Sequence, residues 1–201
     1  RSGCDWSSDV CSSDLKLWQK RKVFALLSRE INDLHGKTLG IIGKGSIGMK
    51  VGRIAKAFGM NINYFSVRNY KKTQFLKFLS SLDYLSIHCP LNEKTKDLIT
   101  IKELKIMKKN MILINTARGG IVNENDLTKA LKHKIIAGAG IDVTTSEPPK
   151  KSHPYYSILN EANFIWTPHT AWASNETLQE AINQLIKNIN SFYKGRKRNI
   201  I

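Results

Sequence analysis

Apolar residues along this chain fall into short continuous runs that alternate with spaced repeats. Leu39, Ile41 and Ile42 form a run with the length and character of a strand buried on both faces. After Gly43-Lys44-Gly45-Ser46-Ile47-Gly48 the spacing changes: Ile47, Val51, Ile54, Ala55 and Phe58 recur at helical intervals, with Lys50, Arg53 and Lys56 between them. That spacing predicts a helix with one wet face. Further strands are expected at residues 61–66, 84–88, 111–116, 137–142 and 164–167. Further helices are expected at 75–82, 100–108, 123–132 and 175–193. Thr100 and Glu103 have the spacing of a capping box. The last helix carries Leu178, Ala181, Ile182, Leu185, Ile186 and Ile189 on one face.

Strands alternating with helices predict an α/β fold, a Rossmann-like doubly wound parallel sheet. The 201 residues suffice for one well-cored domain. No apolar run approaches membrane length, so no membrane partner is expected. A formal charge of +16 raises nucleic acid as a partner. The basic side chains are spread along the chain, however, and no zinc spacing, helix-turn-helix or aromatic–basic motif accompanies them. Neither nucleic acid nor a metal is expected.

The first fifteen residues, RSGCDWSSDVCSSDL, differ from the rest of the chain. They are rich in Ser, Asp and Cys, begin without Met, and on reverse translation residues 5–15 resemble a sequencing adapter carried into the reading frame. They hold one of the 32 basic residues, so the basic bias lies elsewhere. Setting them aside removes Cys4 and Cys11 and leaves Cys89, which excludes a disulfide framework and points to a reducing, cytoplasmic compartment. The expected organisation is a foreign segment (1–15), a helical lead-in (16–34), a dinucleotide-binding domain (35–174) and a C-terminal helix (175–201).

A G-x-G-x-x-G turn between a buried strand and an amphipathic helix reads as a dinucleotide site. Its glycines admit a pyrophosphate, whose charge the N–H groups at the helix start can hold. Gly43, Gly45, Ser46, Ile47 and Gly48 are its members, and Lys44 is placed to meet a phosphate. Ligands of such sheets bind beyond the carboxyl ends of the strands. The residues there are Ser66, His88-Cys89-Pro90, Thr116-Ala117-Arg118, Asp142 and Thr167-Pro168-His169. The second strand ends in Ser66 where a carboxylate usually meets the ribose 2′-hydroxyl, and Arg68 follows. NAD and NADP both stay open, with a slight tilt to NADP.

The stretches GKTLGIIGKGSIG, SIHCPLNEKTKDLI, MILINTARGGIVNENDL, AGAGIDVTTSEPP and NFIWTPHTAW occur in that order. From residue 34 to 201 the chain resembles the nucleotide-binding domain of the D-isomer-specific 2-hydroxyacid dehydrogenases. The resemblance implies hydride transfer between a nicotinamide cofactor and a D-2-hydroxy or 2-keto acid. It implies Arg118, Glu147 and His169 as the catalytic set, and adds Thr95 and Ala171 to the cofactor-binding residues. Such chemistry asks His169 to exchange the hydroxyl proton. It asks Glu147 to stabilise the imidazolium and fix its tautomer. Arg118 would bind the substrate carboxylate and polarise the keto oxygen.

His88 is assigned to supporting the cofactor pocket, and His35, His133 and His153 show no partner pattern of this kind. Trp172, in HTAWAS, resembles the hydroxypyruvate and glyoxylate reductase (glycerate dehydrogenase) members. The resemblance further implies a second, flavodoxin-like substrate domain largely missing from this N-terminally truncated chain. It also implies weak cofactor binding and little turnover as it stands, an exposed apolar face on the last helix, and a homodimer at full length. The alternative on the same fold is a nucleotide-sensing, corepressor-like binding protein.

Overall fold

The apolar run becomes β1 (Thr38–Ile42), covered on both faces because its side chains alternate between two cores. Leu39 and Ile41 pack with Ala55 and Met60 on one side, and Ile42 joins a larger cluster on the other. This is a computed structural model, and it describes residues 16–25, 31–68, 71–161 and 163–199. The segment read as foreign, with Cys4 and Cys11, lies outside those residues. Two units are distinguished, residues 1–33 and 34–201. In the first, residues 16–21 are helical and the Trp18 indole donates to the Val23 carbonyl at 2.7 Å.

The second unit continues with α1 (Ser46–Ala57), β2 (Asn61–Phe65), α2 (Lys72–Ser80), β3 (Tyr84–Ile87), α3 (Ile101–Leu104) and β4 (Ile112–Asn115). There follow α4 (Glu124–Lys132), β5 (Gly138–Ile141), a 3₁₀ turn (Pro154–Ile158), β6 (Phe164–Trp166) and α5 (Asn175–Tyr193). The strands form one sheet in the order β2-β1-β3-β4-β5-β6, with every pair parallel. This is the Rossmann-like α/β sheet that the alternation of runs and repeats predicts. Among the described residues no helix is long and apolar enough to cross a membrane.

Two helices depart from expectation. α1 buries Gly48, Gly52 and Ala55, while Ile47, Ile54 and Phe58 are exposed. A Cβ on Gly48 would collide with the Gly43 carbonyl, and one on Gly52 with the Tyr64 hydroxyl. The helix thus reaches the sheet through its glycines, which turns the larger apolar residues outward. α3 stops at Leu104 rather than Lys108, because the next backbone bonds, Ile106 to Glu103 and Met107 to Leu104, are i to i+3 turns.

The register puts Ile41, Ser86, Ile114, Gly140 and Ile165 on one face of the sheet. Ile41 lies under α1, but Ile114 is only half-buried and Ile165 is 41% exposed. α5 has the expected apolar stripe and none of its residues is buried. Leu178, Ile182, Leu185, Ile186 and Ile189 are all exposed.

The capping box on α3 forms. The Thr100 hydroxyl accepts the Lys102 N–H, and Glu103 accepts both the Thr100 N–H (2.9 Å) and its hydroxyl (2.6 Å). Lys72 also reaches the buried Glu103 carboxylate, at 2.5 Å. Burial opposes ionisation of Glu103, but Lys72 and the Thr100 donors outweigh it and hold the carboxyl below its ordinary value of 4.5. A carboxyl with a depressed folded-state pKa contributes stability above its unfolded value, lost as pH falls through the folded one. Glu103→Gln is expected to cost about 1–2 kcal/mol near neutrality, mostly through the cap because Lys72 is largely exposed. It is also expected to flatten the fall of stability below about pH 4.5. Denaturant titrations at several pH values measure both; an unchanged acid slope removes Glu103 from the acid limb.

Candidate active site

The strand register gathers the chemistry. Phe65, Ile42, Ile87, Asn115, Ile141 and Trp166 stand in one row across the sheet. The next residues, Ser66, Gly43, His88, Thr116, Asp142 and Thr167, therefore leave the sheet along one edge. Every strand-end residue singled out from the sequence leads from that edge.

At the switch between β2 and β3, on either side of β1, lies the glycine turn. Gly43 has φ +104°, and a Cβ there would press to 2.5 Å from the His88 carbonyl. Gly45 caps α1 without a side-chain hydrogen bond, and no acidic residue occupies the first turn. A Cβ on Gly45 would meet no protein atom within 4 Å, so the backbone there forms an open cradle that any side chain would fill. With the N–H groups of Ser46, Ile47 and Gly48 opening the helix, these residues fit a dinucleotide pyrophosphate. Lys44 does not reach into the turn; its ammonium sits 5.3 Å from the Tyr64 ring centroid. Ser66 and Arg68 are both exposed beside β2.

Across the edge, His169 Nδ1 lies 2.7 Å from Glu147 Oε2. Glu147 Oε1 accepts the Thr144 N–H at 2.9 Å, which fixes the carboxylate from its other end. Partial burial opposes ionisation of Glu147, but the Thr144 N–H, His169 and the Arg118 charge prevail and hold it below the ordinary carboxylate value. Arg118 is exposed, and its Nη1 donates to the Ala117 carbonyl at 2.7 Å. Its loop is braced by the buried Asn115, which accepts the Ala117 N–H and donates to the Arg118 carbonyl.

His169 has φ +54°, a left-handed conformation rare for a residue with a side chain. Its N–H bonds to the Asp142 carbonyl (2.9 Å) and that of Thr167 (3.1 Å), which holds the backbone there. The Asp142 carboxylate is spent on the same turn. It accepts the Thr167 hydroxyl at 2.5 Å, the Thr170 N–H at 2.9 Å and the Ala171 N–H at 3.0 Å. A cavity of about 490 Å³ opens beside the pair, walled by Pro148, Pro149, Tyr156 and Trp166.

Three assignments from the sequence need correction. Cys89 is in the core, where burial pushes its thiol up to about 11, so only its backbone can face a ligand. Thr95 is fully buried, donating to the Pro90 carbonyl and accepting the Asn92 N–H; it shapes the loop after β3 from within. His153 does have a carboxylate partner, with Nε2 2.9 Å from Glu124 Oε2. His88 hydrogen-bonds inward to Ser86 at 2.8 Å, and burial lowers its pKa below the ordinary imidazole value. Asn115, Glu124 and Thr144 were missed altogether; a buried polar residue closing an apolar strand was the available signal for Asn115.

Comparison with known proteins places the chain in a family. The profile of the family described as D-isomer specific 2-hydroxyacid dehydrogenase, NAD binding domain, matches residues 12–171. A glycerate dehydrogenase of Methylorubrum extorquens is 42% identical over 188 residues, covering 92% of this chain and 59% of the relative. A glyoxylate reductase of Korarchaeum cryptofilum is 40% identical over 172 residues, covering 81% of this chain and 51% of the relative. Among solved structures, the NAD-complexed form of a D-isomer specific 2-hydroxyacid dehydrogenase from Lactobacillus delbrueckii ssp. bulgaricus superposes with a TM-score of 0.79 at 29% identity. It covers 93% of this chain and 62% of that one. The chain thus spans between half and two thirds of the length of these relatives.

Proposed function

Since the chain belongs to the D-isomer-specific 2-hydroxyacid dehydrogenase family, we propose that it is the cofactor-binding and catalytic half of an enzyme interconverting D-2-hydroxy and 2-keto acids. The observation that carries the reading is the 2.7 Å contact between His169 Nδ1 and Glu147, on the sheet edge that also bears the glycine turn. With Nδ1–H given to Glu147, Nε2 of the neutral ring is left as the proton acceptor. In oxidation it takes the hydroxyl proton of the substrate, and in reduction it returns that proton to the alkoxide oxygen. Ionised Glu147 stabilises the imidazolium between these events. Arg118 binds the substrate carboxylate and draws charge onto the keto oxygen. A nicotinamide dinucleotide, when bound, supplies or removes the hydride at C2.

His169 and Glu147 have side chains more than a third exposed, so water must be excluded by a second wall of the cleft. We assign that wall to the segments by which the relatives exceed this chain. The favoured substrates are hydroxypyruvate and glyoxylate. Glycerate and glyoxylate are named in the two relatives above, and Trp172, more than half exposed three residues past His169, is available as a lining side chain. Ser66 and Arg68 favour NADP, because no carboxylate there repels a 2′-phosphate. The test is steady-state reduction of both keto acids with NADPH and NADH, in a form as long as the relatives. Turnover with a lower KM for NADPH is expected. A strong NADH preference overturns the cofactor assignment alone; tight cofactor binding with no turnover of any keto acid overturns the enzyme reading.

A further inference from the structure

A second imidazole–carboxylate pair, His153 with Glu124, meets the loop that carries Glu147. Glu124, the first residue of α4, is an acceptor for three donors. Its Oε1 takes the Thr145 N–H at 2.7 Å, and its Oε2 takes the Thr145 hydroxyl at 2.8 Å and meets His153 Nε2 at 2.9 Å. The two side chains of the pair are 6% and 11% exposed. His153 Nδ1 accepts the Tyr155 N–H, so the ring proton belongs on Nε2 and points at Glu124. The imidazole has little freedom to turn. It stacks on Trp166 at 5.4 Å and meets the Tyr155 ring at 4.8 Å.

Thr145 is the residue after Thr144, whose N–H holds Glu147 against His169. The Thr144 backbone is also hemmed in by Gly119, where a Cβ would collide with the Thr144 carbonyl. The loop carrying the catalytic carboxylate is therefore fixed on one side by the loop after β4 and on the other by Glu124. We propose that Glu124 and His153 are positioning residues: His153 orients Glu124, Glu124 clamps Thr145, and the clamped backbone presents the Thr144 N–H that aims Glu147 at His169 Nδ1. This rests on the reading of His169 and Glu147 as the acid–base pair, but concerns how that pair is held rather than what it turns over.

The test reads the ring tautomer of His169 in the ¹⁵N-labelled chain by long-range ¹H–¹⁵N correlation, at a pH where the ring is neutral. With Glu147 in place the ring is expected as Nδ1–H. Glu147→Gln is the reference for a weakened contact and moves the ring toward Nε2–H, the form a free imidazole prefers. Glu124→Gln offers one acceptor oxygen and sets an amide NH₂ against a donor, so it should move the tautomer most of the way to that reference. His153→Gln should do the same in part. Thr145→Val, which removes only a hydroxyl, keeps the question open to measurement should Glu124→Gln fail to fold. Folded variants that keep the wild-type Nδ1–H signal, with altered melting alone, overturn the proposal. A wild-type ring already in the Nε2–H form does so as well. The hydride-transfer assay is separate and uses a form as long as the relatives: a shifted tautomer together with no keto-acid turnover in that longer form leaves the clamp standing and removes the dehydrogenase reading.

Discussion

Under the proposed acid–base role, replacing His169 by alanine is expected to lower kcat for keto-acid reduction by about 10²–10⁴, the usual worth of a positioned general acid–base group. The expectation applies to a form spanning the relatives' full length, with cofactor affinity measured alongside. Alanine removes the imidazole that lies 2.7 Å from Glu147, and no other described histidine stands at that carboxylate. It also changes the residue at a φ of +54°, where a disturbed turn adds its own loss. His169→Asn separates the effects, because asparagine tolerates the left-handed region better than alanine and cannot exchange a proton. Both variants should lose turnover alike, and Asn should melt closer to wild type. Near-normal kcat in both would take His169 out of the mechanism. A large loss in Ala with recovery in Asn would make its contribution conformational.

What the sequence showed and what it hid divide along physical lines. Buried parallel strands read as uninterrupted apolar runs, so Leu39, Ile41 and Ile42 or the run ILIN announce themselves. The strand-end residues follow from them, because parallel pairing places Gly43, His88, Thr116, Asp142 and Thr167 along one edge. The contact face of α1 was hidden. Periodicity weighs side-chain size, whereas here Gly48 and Gly52 make the approach and Ile47, Ile54 and Phe58 face outward. Hidden too was the pairing of Glu124 with His153, 29 residues apart. Neither side chain carries a local signature, and they meet only because α4 and the segment before the 3₁₀ turn converge on the loop after β5. Cys89 resembles a ligand residue by position and Thr95 through the family resemblance, yet their side chains turn into the core. The backbone path after β3, not residue type, decides which way they face.

Asp142→Ala is expected to destabilise the isolated chain by about 2–4 kcal/mol, more than any surface carboxylate could. The carboxylate is 3% exposed and receives one hydroxyl and two backbone N–H groups. Each donor left without an acceptor costs about 1–3 kcal/mol when buried. Thr170 and Ala171 are exposed enough for water to recover part of that. Asp142→Asn keeps one acceptor oxygen and turns an NH₂ toward a donor, so it should fall between alanine and wild type. Urea midpoints at neutral pH read the order, provided the denaturant slope stays constant. A loss below about 0.5 kcal/mol for alanine, the range of neutral surface substitutions, would show that the turn does not depend on this carboxylate. Sequence position marks Asp142 as a candidate cofactor residue, and its carboxylate also accepts three donors of the turn that bears His169. A stability loss without any cofactor present, accompanied by a displaced His169 ring signal, is the signature of that anchor, since an unfilled ligand contact would leave both unchanged.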